Sequence, residues 1–176
     1  MKFIKQKIKG LYLIKPSPFK DKRGFFRRNF CEDLFNKNKI NSNVKQANIS
    51  ENNNKFTLRG FHYQKKPYGE DKTITCIKGA IYNVTIDLRK KSKTYKKWKA
   101  FRLSEINRYS VHVPKGCANA FLTLIDKTIV HYYCSQRYYP NAERGVRYND
   151  KIFNIRWPHK PKIISEKDKK HQNYKD

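Results

Sequence analysis

The sequence predicts an all-β sandwich or barrel with a few short helices, and three observations lead there. From residue 44 onward, short runs of apolar and β-branched residues recur at intervals of about eight to twelve residues. Turn-forming clusters separate them, at 51–54, Lys78-Gly79, 90–93, 104–107, Pro114-Lys115-Gly116 and Pro140-Asn141. One stretch alone reads as a helix. A chain of 176 residues can bury a proper core, and residues 1–176 are expected to form one domain.

In chain order, residues 1–14 read as a strand, a turn at Lys9-Gly10 and a second strand, closed by Pro16 and Pro18. A turn with basic residues and then Phe25-Phe26 follows; its cations either meet a phosphate or form an exposed turn backed by a buried Phe pair. Residues 30–38 are the helix, with Leu34 and Phe35 on an apolar face and Glu32 and Asp33 at the end where the helix dipole favours anions. Strands are expected at 44–50, 56–63, 72–77, 80–88, 98–103, 109–113, 120–124, 128–135 and 146–148. The segment beyond Pro158 is rich in Lys, Pro and Asp, and 169–176 are expected to be a mobile end.

Lys and Arg number 41 against 14 Asp and Glu, a formal charge of +27. Such a balance raises a polyanion partner, but the lysines are scattered through every segment with Asn alongside, and a compositional bias is the preferred reading. Twelve tyrosines and eleven phenylalanines among basic residues would suit single-stranded nucleic acid. Most sit in apolar strand patterns, where they read as core, so no nucleic-acid partner is expected. Cys31, Cys76, Cys117 and Cys134 form no Cys-x-x-Cys pair and read as small buried residues of a reducing compartment. The N-terminus lacks an apolar signal core and no window is long enough to span a bilayer. A soluble cytoplasmic protein without a membrane partner is the expectation.

The chemistry gathers in Leu58 to Lys72, LRGFHYQKKPYGEDK, where an imidazole, an arginine and a lysine cluster near two strands and the loop joining them. Abstracting a proton beside a carbonyl needs a base, a group to stabilise the enolate oxygen, and an acid to return the proton. His62 and Lys72 suit the first two, and one of Tyr132, Tyr133, Tyr138 or Tyr139 the third. A lone strand histidine is more often a core or surface residue. A metal is the rival, since small barrels of the cupin class hold one with paired histidines. Here the partner positions carry Gln64 and Asn119, so neither a metal nor another cofactor is expected.

A set of motifs in order identifies a family resemblance: Asp21-Lys22-Arg23-Gly24-Phe25-Phe26, Leu58-Arg59-Gly60-Phe61-His62-Tyr63-Gln64, Asp87-Leu88-Arg89-Lys90-Lys91-Ser92, Leu103-Ser104, Pro114-Lys115-Gly116, Tyr138-Tyr139-Pro140, Tyr148-Asn149-Asp150 and Trp157-Pro158. Over residues 8–168 the chain resembles the dTDP-4-dehydrorhamnose 3,5-epimerases, cupin-like jelly rolls that have lost their metal. The resemblance implies an epimerase of a nucleotide-diphosphate 4-keto-6-deoxyhexose, with His62 as base, Asp168 orienting it, Lys72 opposing the charge on O4 and Tyr132 returning the proton. It places Arg23 and Arg59 on the diphosphate, Gln46, Asn48 and Tyr138 with the sugar-binding residues, and Phe26 near the base. It also implies a homodimer with exchanged N-terminal strands, in which residues near Arg23 serve the neighbouring pocket.

Three departures stand out. Asn119 and Asn83 occupy positions where the family commonly has His and Asp, which puts one of the two inversions, or the usual sugar, in question. Arg28 replaces a common Glu near the nucleotide, and cytosine N3, an acceptor, suits arginine, so a CDP-linked sugar is a second expectation. A 3,4-ketoisomerase or a binding relative without catalysis on the same scaffold are the other readings.

Overall fold

Alternation of apolar and polar residues turns most of this chain into strands that carry one face inward. The structure, a computed structural model, describes residues 1–175. Its elements are β1 (Lys2–Lys5), β2 (Tyr12–Lys15), β3 (Phe19–Asp21), β4 (Gly24–Phe26), α1 (Glu32–Lys37), β5 (Gln46–Asn52), β6 (Thr57–Gln64), β7 (Lys72–Lys78), β8 (Ala80–Asp87), β9 (Trp98–Ser104), β10 (Ser110–Val113), β11 (Cys117–Thr123), β12 (Thr128–Cys134), β13 (Glu143–Gly145), β14 (Ile163–Ile164) and α2 (Glu166–Lys169). One sheet runs β1-β2-β10-β7-β12-β5. The second runs β13-β6-β11-β8-β9, with β14 added in parallel to β6. This is the all-β, cupin-like architecture expected.

The two sheets meet over Ile74, Cys76, Ile81, Leu103, Val111, Phe121 and Val130. Strand alternation sends the other residues of the second sheet outward, where Phe61, Val84, Ile86, Ala118 and Ala120 pack beneath Val146, Phe153, Trp157 and Tyr174 of the C-terminal segment. The segment expected to be a mobile end is packed against this face as far as Tyr174. Tyr174 N donates to Asp150 Oδ2 at 2.6 Å and Arg147 N to Gln172 O at 3.1 Å, because the outer face of this sheet is apolar and needs a cover. On the other sheet, α1 lies within the expected 30–38 and buries Phe35 against Ile14 and Tyr133.

Two local expectations change. No strand forms at 146–148: β13 ends at Gly145, and buried Val146 leaves the ladder after one bond from its N–H to Phe61 O, 3.2 Å. The turn before Phe25-Phe26 is a hairpin, β3 with β4, and its phenylalanines are exposed rather than buried, Phe25 by 54% and Phe26 by 72%.

The Asp87 motif proves structural. Asp87 is fully buried, and its carboxylate accepts from Arg89 Nε at 2.7 Å, Ser92 Oγ at 2.6 Å and Thr94 Oγ1 at 2.7 Å. Burial works to raise its pKa, but these donors together hold it down at about 2. A carboxyl whose folded pKa lies below its unfolded value stabilises the fold above the unfolded pKa, and that contribution fades as pH falls through the folded one. Asp87 should therefore contribute on the order of 2 kcal/mol above about pH 4 and lose it towards pH 2. Urea unfolding from pH 7 to pH 2 should show Asp87→Asn destabilised at neutrality and the gap to wild type closing with acid.

Candidate active site

The LRGFHYQ stretch is β6, paired on one side with β11 and on the other with β13. Gly60 lets it press against β11: its φ is +107°, and a Cβ there would come 2.5 Å from Asn119 O, so a side chain is excluded both by conformation and by space. The freed Gly60 N–H donates to Asp168 Oδ2 at 2.9 Å, and His62 Nε2 meets Asp168 Oδ1 at 2.7 Å. Asp168 comes from α2, whose first turn is capped by Ser165 Oγ accepting from the Asp168 N–H. Burial would raise this carboxyl's pKa, yet the His62 contact and the Gly60 N–H hold it below the usual range. An ionised carboxylate only accepts, so His62 Nε2 carries the proton and Nδ1 is left with the lone pair.

Across the cavity, register decides the rest. Tyr132 pairs with Ile74 of β7 and Asn48 of β5, and Cys134 pairs with Lys72 and Gln46, so Lys72, Tyr132, Asn48 and Gln46 share the inward face. Tyr133 points to the opposite face, where its hydroxyl donates to Asn29 O at 2.8 Å and its ring packs near Phe30. Lys72 Nζ lies 2.8 Å from Glu70 Oε1 and 5.9 Å from the Tyr132 ring centre. Burial is the largest single influence on the Lys72 pKa and lowers it, but the charge and hydrogen bond of Glu70, with smaller contributions from neighbouring groups, together hold the ammonium above its ordinary value. Burial raises the Tyr132 phenol, with Lys72 pulling the other way.

A cavity of about 550 Å³ brings Arg59, His62, Lys72, Asn119, Tyr132 and Asp168 together. Gln46, Asn48 and Tyr138 line an adjoining hollow that shares His62, Lys72 and Tyr132. Arg59 Nε donates to Asn52 Oδ1 at 2.8 Å, which steadies an otherwise exposed guanidinium at the rim. Asn83 does not reach the cavity: fully buried, it exchanges amide hydrogen bonds with Asn119, at 2.9 and 3.3 Å. Gln64 is likewise engaged, donating to Tyr68 O and Arg137 O and accepting from Tyr139 N. Arg23, Phe26 and Arg28 lie outside this cavity. Arg23 is paired with Asp21 at 2.6 Å with its side chain 89% exposed, and Arg28 Nη1 sits 3.9 Å from Cys31 Sγ.

Sequence reasoning passed over three participants. Glu70 holds Lys72, and its signal was an acid two residues from the lysine in a basic chain. Glu143 closes the adjoining hollow, accepting from Tyr138 Oη at 2.5 Å and pairing with Lys167. His171 stands edge-on to His62, ring centres 5.7 Å apart, and nothing in its lysine-rich surroundings marked it.

The all-β barrel thus holds an imidazole–carboxylate pair facing an ammonium and a phenol across one cavity, a set of groups able to take, stabilise and return a proton. Comparison with known proteins is specific. The family model for dTDP-4-dehydrorhamnose 3,5-epimerase matches residues 5–176. A dTDP-4-dehydrorhamnose 3,5-epimerase of Methanothermobacter thermautotrophicus is 39% identical over 172 residues, 96% of this chain and 91% of that protein. The structure of the Bacillus anthracis enzyme of that name, with TDP and PPi bound, superposes with a TM-score of 0.95 at 36% identity, covering 98% and 99% of the two chains. ChmJ, a 3'-monoepimerase from Streptomyces bikiniensis in complex with dTDP-quinovose, superposes with a TM-score of 0.88 at 28% identity over 94% and 84%. The chain belongs to the dTDP-4-dehydrorhamnose 3,5-epimerase family, whose members are isomerases.

Removing Glu70's charge should leave burial as the dominant influence on Lys72. In Glu70→Gln, an NMR titration of the Lys72 ammonium should give a pKa below its ordinary 10.5, where wild type titrates above it.

Proposed function

We propose that the protein epimerises a dTDP-linked 4-keto-6-deoxyhexose at the carbons flanking its C4 ketone. The observation that carries this reading is His62, held by Asp168 through Nε2, facing Lys72 and Tyr132 in one cavity. In the mechanism it supports, His62 Nδ1 takes the proton from the carbon beside the ketone. Electron density moves onto O4, where the Lys72 ammonium opposes the growing charge. Tyr132 then delivers its hydroxyl proton to the other face of the carbon, which inverts it. His62 loses its proton to solvent and Tyr132 regains one, so no proton is gained or lost overall. The nucleotides named in the Bacillus anthracis and Streptomyces bikiniensis structures support dTDP as the carrier.

Asn83 and Asn119 bear on how many centres invert. Their amide pair keeps a polar group at the cavity wall but holds no proton to exchange near neutral pH, leaving His62 and Tyr132 as the titrating residues of the mechanism. A cytoplasmic location goes with this reading, as do the four free cysteines; no helix is long and apolar enough to cross a membrane among the described residues. The working unit is a homodimer. The β3–β4 hairpin supports this, since Phe19, Phe25 and Phe26 are 64%, 54% and 72% exposed beside Arg23, an uneconomical surface unless a second copy covers it. In that arrangement Arg23, Phe26 and Arg28 complete the partner's pocket, Arg23 on the diphosphate and Phe26 near the base.

The test is incubation with dTDP-linked, and separately CDP-linked, 4-keto-6-deoxyglucose in deuterated water, reading label at C3 and C5 by NMR. Label is expected with the dTDP sugar, and His62→Ala should slow its entry by about 10²–10⁴-fold while dTDP affinity stays nearly unchanged. Near-native exchange in His62→Ala would overturn the mechanism, and preference for the CDP sugar would move the specificity to Arg28. For the dimer, Arg23→Ala and His62→Ala should each be inactive alone and regain activity when unfolded and refolded together, since a mixed dimer rebuilds one intact pocket. No recovery, or a monomer by sedimentation, would rule out a shared site.

A further inference from the structure

Beside the His62–Asp168 pair lies a buried imidazole nitrogen with no hydrogen-bond partner, Nε2 of His171. Its ring occupies a slot that Gly145 leaves open: a Cβ at Gly145 would come within 2.1 Å of it. The nitrogen stands 3.4 Å from Asp168 Oδ1, the same oxygen that His62 Nε2 contacts at 2.7 Å. Ligand atoms of His62, Asp168 and His171 all lie within 4.8 Å of one another, the one such set of three among the described residues. A buried polar atom without a partner calls for an explanation, and an ion is one of the few available.

We propose that His62 Nε2, Asp168 Oδ1 and His171 Nε2 bind a first-row divalent cation of the zinc type, and that its binding switches the base off. Two imidazoles and a carboxylate are a donor set suited to zinc, with water in the fourth position. In a tetrahedral site with bonds of about 2.0–2.1 Å, ligand atoms stand about 3.3 Å apart. The His171–Asp168 separation of 3.4 Å already matches; His62 must give up its 2.7 Å hydrogen bond, and the two imidazole nitrogens, within 4.8 Å of one another, must close to about 3.3 Å. His62 is 31% exposed along its side chain and faces the cavity, so the ion has a way in. Of the cations around the cavity, Lys167 is paired with Glu143 and Lys72 with Glu70, while the Arg59 guanidinium stands exposed at the rim.

The consequence follows from the tautomer. A metal on Nε2 needs the lone pair there, so the single proton of neutral His62 moves to Nδ1. That nitrogen becomes a donor and can no longer accept a proton from the substrate. Binding of the cation stands apart from the proposed reaction; loss of turnover rests on it.

The test uses the full chain after treatment with EDTA. Titration with Co²⁺ should give visible d–d absorption saturating at one ion per chain, and calorimetry with Zn²⁺ the same stoichiometry. His171→Gln and, as a differently shaped replacement, His171→Leu should each bind at least tenfold more weakly while keeping the wild-type circular dichroism, and the zinc sensitivity of each is read against its own zinc-free exchange rate. Zinc should stop exchange in wild type, EDTA should restore it, and both variants should tolerate at least tenfold more zinc. Absence of one-to-one binding, or binding unaltered in both His171 variants, would overturn the site. Binding that leaves exchange running would overturn the switch. Should wild type exchange no label with any sugar, the epimerase reading fails and the cobalt spectrum still decides the site.

Discussion

Asp168 is a single carboxylate that ties the C-terminal helix to the strand carrying the imidazole. One oxygen takes the Gly60 N–H and the other the His62 ring nitrogen, so backbone and side chain of β6 are fixed by the same group. Asp168 is itself 4% exposed, and an ion buried to that degree persists only when its oxygens are satisfied. Much else follows from this demand. Gly60 must lack a side chain for β6 to approach β11, Ser165 must cap α2 to aim the carboxylate, and the segment after β13 must fold back over the outer face of the sheet to bring α2 into reach.

The opposite wall obeys the same rule with the charges reversed. Burial between β7 and β12 works to lower the pKa of the Lys72 ammonium, and the neighbouring Glu70 carboxylate works against it. The pocket thus keeps an anion–imidazole pair on one sheet and an anion–ammonium pair on the other, with Tyr132 beside Lys72 on the second. Both of these charges are compensated locally, which is why a chain of formal charge +27 can build a site whose polarity does not follow its net charge.

How much of this was legible depended on whether the signal was local. The strands could be read because inward residues alternate, as in Lys72, Ile74 and Cys76, and the turns because Gly and Pro mark them. The tyrosine could be narrowed to Tyr132 over Tyr133 once one register was fixed, since neighbours on a strand face opposite ways. The β3–β4 hairpin, the exposure of Phe25 and Phe26 and the seating of the C-terminal segment were not legible, because each depends on what the other face of a sheet offers. The Asn83–Asn119 pair illustrates the limit. Read singly, each looked like a lost titratable group, whereas together they satisfy one another's buried amides.

The sequence by itself determined the class of fold, most of its strand segments, the family and the residue types able to move a proton, because periodicity, turn chemistry and motif order are properties of neighbours along the chain. The family resemblance already named Asp168 as the partner of His62 and set the residues near Arg23 apart from their own pocket; only the tertiary structure decided that the contact runs through Nε2, that His171 stands beside it and that Glu70 holds Lys72. Those relations join residues up to 109 positions apart or turn on the packing of one sheet against its cover, and a contact of that kind leaves no period in the sequence from which to read it.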